Sequence, residues 1–171
     1  MHIARRTLVT VALVALGLWM GGMVALGAIA APVVFGMVPA PTNADAMTVV
    51  FRRFDKLAVA CVVAALAVEI GLALLRDREE GRKLVRLDLV RGGLVTLAAG
   101  AAAYVAMFVS PRIEALHQAG AVRHLGASGE ELDAIHRVAE RAGRLELALA
   151  IAIIALHVVR LSGPARVQKR N

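Results

Sequence analysis

One cysteine, three lysines and six aromatic residues are all that this 171-residue sequence holds of those types. Cys61, alone, closes no intramolecular disulfide and builds no cysteine-based zinc site. With so few aromatics and no long polar domain, the chain lacks the stacking surface that single strands need. No nucleic-acid partner is expected, despite a net charge of +7. Histidine is missing from the first three apolar stretches. A bis-histidine haem site needs two facing imidazoles at membrane depth, and only His157 qualifies. Charge is missing altogether from Thr7 to Ala44, a run of 38 residues.

What remains is apolar. The chain is 59% hydrophobic with a mean hydropathy of +0.70. A bilayer core takes about 20 helical residues, and four stretches fit: about 8–29, 57–75, 92–109 and 145–161. Pro32, Pro39 and Pro41 argue against one continuous helix after the first. Residues 31–38 read as a kinked extension or a short interfacial piece. Ser110-Pro111 closes the third span. A cleaved signal peptide is disfavoured, because the first apolar run is about twice the usual 7–15 residues. We expect a single all-α domain over residues 1–171, a four-transmembrane-helix bundle.

The cations set its orientation. Arg5, Arg6, Arg76, Arg78, Arg82, Lys83, Arg86, Arg91, Arg160, Arg166, Lys169 and Arg170 fall on one side, 12 in all. The other side carries 8, including Arg52, Arg112 and Arg123. The positive-inside rule puts both termini in the cytoplasm. With Arg far outnumbering Lys, the expected location is a bacterial inner membrane, and the basic excess meets anionic headgroups of the lipid bilayer.

Residues 111–144 then form an extracytoplasmic helical extension. Ser110-Pro111 reads as an N-cap and a first-turn proline. Ser128 followed by Glu131 reads as a capping box. Leu132, Ile135, Ala139, Ala142 and Leu145 recur at helical spacing, with charge elsewhere around the helix. A helix from Gly129 to Leu161 spans about 50 Å at 1.5 Å per residue, more than a ~30 Å core. Its protruding apolar edge needs a partner, most simply residues 111–119.

Glu69 is the first candidate for chemistry, because an acid inside a span is costly. Thr96 and His157 lie at similar depth, so the three define a candidate intramembrane polar site. We read Glu69 as a neutral group tying helices together; the alternative is a proton or cation site. Met20, Met23, Cys61 and Met107 offer soft ligands for copper, but Met also fills gaps in apolar packing. His117, His124 and His136 match no zinc spacing. No metal, cofactor or catalytic residue is assigned. Gly17 with Gly21, and Gly92 with Thr96 and Gly100, form small-residue stripes of the kind that seats a neighbouring helix. Contact within the chain is the expected use, and a homodimer or membrane-protein partner the alternative.

Trp19-Met20-Gly21-Gly22, then Pro32, then Pro111-Arg112-Ile113-Glu114, then His136 resemble, in that order, the transmembrane-protein-205-like family, domain of unknown function 4149. The resemblance implies a small four-span membrane protein and covers nearly the whole chain. That family usually places Ser and Asn after the histidine, where this chain has Ala139 and Gly143. A more distant likeness is to copper-resistance D-type proteins. The function expected is that of a non-enzymatic membrane binding or assembly module. The rival is a transporter-like module for a proton, metal ion or small molecule centred on Glu69.

Overall fold

A computed structural model describes residues 2–80 and 86–161. Arg82, Lys83, Arg166, Lys169 and Arg170, counted above for orientation, lie outside the described residues. Among the described residues, six α-helices and two π-turns follow in order. They are α1 (His2–Val24), a π-turn (Ala25–Ala30), α2 (Ala31–Met37), α3 (Thr42–Glu80) and α4 (Arg86–Tyr104). A second π-turn (Val105–Val109), α5 (Ser110–Gln118) and α6 (Gly126–Leu161) complete the order. Four rods result: α1 with α2, α3, α4 with α5, and α6. Each packs on the next, and α6 returns to α1, closing a ring. Helical hydrogen bonding within each rod satisfies the backbone without water, as a bilayer demands.

All four rods are long and apolar enough to cross a membrane. What the bundle buries and exposes agrees. The buried stripe is narrow and rich in small residues: Ala15, Leu16 and Trp19 on α1, Ala58, Val62 and Ala65 on α3. Val95, Ala98 and Ala102 on α4 meet Leu149, Ala150 and Ile153 on α6. These repeat every three or four residues, one face of a helix. The opposite faces present Val14, Leu18, Val63, Ile70, Leu97 and Ile151 outward. Apolar residues outnumber what a soluble surface would carry, so this is a multi-pass membrane protein.

Both prolines that interrupt the rods are handled the same way. A helix-interior proline has no N–H, and its ring collides with the carbonyl four residues back. A π-turn inserts an extra residue and relieves the collision. The Ala31 N–H bonds to Leu26 O immediately before Pro32. The Ser110 N–H bonds to Val105 O immediately before Pro111. Pro32 therefore does not end the first rod: the helix runs on through the π-turn, and of the expected 31–38 extension residues 31–37 are helical while Val38 is extended. Nor does Ser110 cap a helix: its backbone is helical, it is the first residue of α5, and Val109 stands at the cap position. Likewise α6 starts at Gly126, which puts Ser128 inside the first turn rather than at its cap. With 39 and 36 residues, α3 and α6 outrun a ~30 Å core, so both extend beyond the 57–75 and 145–161 stretches.

The extension does find its partner. Ile113 and Leu116 of α5 pack on Leu132 and Ile135 of α6, with Ala121 between them. Gly129 lets the connecting loop close on α6, since a Cβ there would collide with Val122 O.

The glycine stripes do not pack as expected. A Cβ on Gly17, Gly21, Gly92 or Gly100 would meet nothing within 4 Å. At 3.6 residues per turn, these positions rotate away from the alanine stripe that carries the contacts. The glycine that does admit a neighbour is Gly22, where a Cβ would lie 2.4 Å from the Phe54 ring. Gly100→Leu should accordingly leave the melting temperature of the monomer in detergent within a few degrees of wild type. A collapse of the fold would restore the packing role.

Candidate functional site

Four ionisable side chains meet where α1 begins and α6 ends. Glu69 comes from α3, Asp88 and Arg91 from the first turns of α4, and His157 from α6. Arg91 donates from Nε to Glu69 Oε1 at 2.6 Å and from Nη2 to Oε2 at 2.8 Å. That two-pronged geometry matches a guanidinium to a carboxylate and strengthens both bonds. Arg91 Nη2 also lies 3.5 Å from Asp88 Oδ1, one turn back on the same helix. His157 Nε2 lies 3.4 Å from Glu69 Oε1. The His157 ring is 1% exposed, and its Nδ1 is buried with no hydrogen-bond partner among the described residues.

This corrects the sequence reading in two places. Glu69 is an ion-paired carboxylate rather than a lone neutral acid. Arg91 is a buried partner, only 2% exposed, rather than a solvated loop cation. Its place on the buried face is written in the spacing of Asp88, Arg91, Val95, Ala98 and Ala102. Of the three residues expected together, Glu69 and His157 meet. Thr96 does not join them, because its hydroxyl donates to Gly92 O at 2.9 Å on an exposed face.

Thr96 instead lines a groove of about 330 Å³ between α3 and α4. Leu66, Ile70 and Leu89 supply apolar walls, and Glu69, Asp88 and Arg91 the polar floor. Gly92 belongs here too: with no side chain, it opens the groove instead of seating a helix.

The Pro111-Arg112-Ile113-Glu114 element works as a three-helix clamp. The π-turn spends the Ser110 N–H on Val105 O. The next residue, Pro111, has no N–H to offer. Ala106 O is thus left without a backbone donor, and Arg52 of α3 supplies one, Nη1 to O at 3.1 Å. The same guanidinium pairs with Glu114, Nε to Oε2 at 3.1 Å. Arg112 binds Glu131 of α6, and Ile113 packs under it. Asp133 holds the connecting loop, accepting from Arg123 Nε at 2.6 Å and from the His124 N–H at 3.1 Å. That grip stabilises His124 at φ 67°, a left-handed conformation unusual for a side-chain-bearing residue. His136 donates from Nδ1 to Leu132 O at 2.8 Å and meets the edge of the His117 ring at 6.0 Å. These histidines shape the extension. No group of three or more metal-binding side chains occurs among the described residues.

A second buried polar group, Asp55 with Glu146 and Trp19, sits toward the loop end. From Glu146 to His157 is about 16 Å along α6, and from Asp55 to Glu69 about 21 Å along α3, at 1.5 Å per residue. Val62, Ala65, Val95, Ala98, Ala150 and Ile153 fill the interval.

Residues 14–121 match the family described as "Domain of unknown function (DUF4149)". The match spans more than half of the chain, and the chain belongs to that family. It takes in Trp19, Glu69, Arg91 and the 111–114 element, and stops short of His136, Glu146 and His157. No curated protein and no solved structure matches the chain.

Proposed function

We propose that this family member is a non-enzymatic membrane binding module whose site is the α3–α4 groove. The observation that carries the reading is the lining of that groove, apolar at the walls and ionic at the floor. Such a site suits an amphiphile, with its apolar body against Leu66 and Ile70 and its polar head toward Arg91 and Asp88. The dry interval between the two polar groups favours binding over conduction, because ion passage needs a continuous hydrated or ionisable path. The transport reading rests on the His157–Glu69 contact, which could pass a proton. The finer kinship with transmembrane-protein-205-like and copper-resistance D-type proteins belongs to the same proposal and rests on the motif order alone.

Photolabelling with a diazirine-bearing phosphocholine amphiphile tests it. Labels should concentrate on peptides holding Ile70 and Leu89, and Gly92→Phe should remove them by filling the groove. Labelling spread evenly over Val63, Leu97 and Ile151 would show ordinary lipid contact and defeat the reading. Proteoliposomes loaded with a pH-sensitive dye test the rival, and we expect no proton flux above that of empty vesicles.

We further propose a bacterial inner membrane with both termini cytoplasmic, on the cation asymmetry. In a Cys61→Ala background, a cysteine beside Arg82 should react only from the cytoplasmic side and one beside His124 only from outside. The reverse pattern would invert the topology.

A further inference from the structure

Two carboxylates and an indole are shut inside the loop end of the bundle with polar atoms left over. Asp55 on α3 is 8% exposed, Glu146 on α6 is 5% and Trp19 on α1 is 0%. Asp55 Oδ2, Glu146 Oε1 and Trp19 Nε1 are each buried without a hydrogen-bond partner among the described residues. Asp55 lies within electrostatic reach of Glu146, and the Trp19 indole nitrogen lies beside Glu146 without closing a hydrogen bond. The Ser110 hydroxyl and Arg52 stand beside Asp55. Arg52 is already shared between Glu114 and Ala106 O. Three orphaned polar atoms converging from three helices are unusual, because buried polar groups are almost always paired.

We propose that Asp55 and Glu146 form a proton-binding carboxylate pair, with one exchangeable proton held between the two side chains. Each orphaned carboxylate oxygen is an acceptor, and two buried carboxylates within electrostatic reach of one another are relieved when one of them takes up a proton. Protonation makes one carboxyl a donor and leaves the other an acceptor, with no change in the helices. A bound metal ion fits worse. Calcium and magnesium would each need water to complete their oxygen shells in this buried place, and no group of three or more metal-binding side chains occurs among the described residues. The charged and titratable groups facing the pair are Arg52 from α3, with Glu114 of α5 behind it. Trp19 from α1 and Ser110 from the α4–α5 junction complete the wall as neutral groups. Removing the proton would leave two like charges, one on α3 and one on α6, shut inside the bundle beside the indole. Proton occupancy is therefore coupled to the packing of α1, α3 and α6 at the loop end. The groove near Glu69 plays no part in this.

Trp19 is the only tryptophan of the chain, so its emission reports on the pair directly. The full chain in nanodiscs should show a reversible change in Trp19 emission between acidic and alkaline pH. Glu146→Gln and Asp55→Asn should each abolish it, while Glu140→Gln, at an exposed acid of α6, leaves it in place. An infrared difference spectrum of the wild type over the same range should lose a protonated-carboxyl band as the emission changes. That measurement stands even where a variant fails to fold. A titration that survives the Asp55→Asn/Glu146→Gln double variant would overturn the proposal. So would its disappearance in Glu140→Gln, or the absence of the infrared band. An emission change on adding calcium, magnesium or sodium at fixed pH would assign the site to a metal cation instead.

Discussion

Arg91→Leu is expected to destabilise the folded bundle by about 3–5 kcal/mol, the usual loss when one partner of a buried ion pair is removed. The substitution keeps most of the volume but strands Glu69, whose two oxygens both receive from that guanidinium. Asp88 loses the same neighbour. Glu69→Gln should also be destabilising. A glutamine keeps one acceptor oxygen but turns an N–H₂ group toward the Arg91 fork, donor against donor. Combining Glu69→Gln with Arg91→Leu should recover part of the loss, because the buried charge goes with its partner. Chemical denaturation in detergent, read by helical circular dichroism and arranged as a double-mutant cycle, measures the coupling. Simple additivity of the two single losses would show that the pair contributes nothing as a pair.

Trp19→Ala should cost a similar amount, about 3–5 kcal/mol for a fully buried large aromatic. Trp19 is the largest fully buried side chain and packs with Leu16, Ala58 and Ile153 among others. Trp19→Phe should be much milder, under about 1.5 kcal/mol, since it keeps an aromatic filler in the same place. The indole N–H has no hydrogen bond to lose. A phenylalanine variant as unstable as the alanine one would mean that the N–H has a partner in the membrane. Thermal unfolding of the two variants side by side decides it.

The four spans were legible because a bilayer imposes length and apolarity, and both can be counted. That Pro32 disturbs the first rod was legible because proline chemistry is local, although the disturbance is a π-turn within the rod and not a break. The α5–α6 contact followed from an amphipathic edge that had to be covered. Arg91 was misread because it sits close to a charged loop, and counting cations by loop ignores which way a side chain turns. The three- and four-residue spacing of Asp88, Arg91 and Val95 held the correct answer. Glu146 was passed over for a like reason: it falls at the start of the 145–161 stretch, where an acid reads as the edge of a span. Yet it shares one helical face with Leu149, Ala150, Ile153 and His157. Thr96 and the glycines failed the other way. Depth along the helix was judged correctly for Thr96, but rotation about the axis puts it outside the cluster. Small residues do mediate the close contacts, but here the small residues are alanines.

The bond from Arg52 to Ala106 O carries a consequence for heredity. Pro111 creates the orphaned carbonyl, and Arg52, 59 positions away in the sequence, answers it. Neither residue makes full sense without the other. In a descendant with an ordinary residue at 111, the helix could satisfy that carbonyl from its own backbone, and the side chain at 52 would answer only to Glu114 and Asp55. Among relatives the two positions should therefore drift together, a long-range epistasis written by a single missing hydrogen.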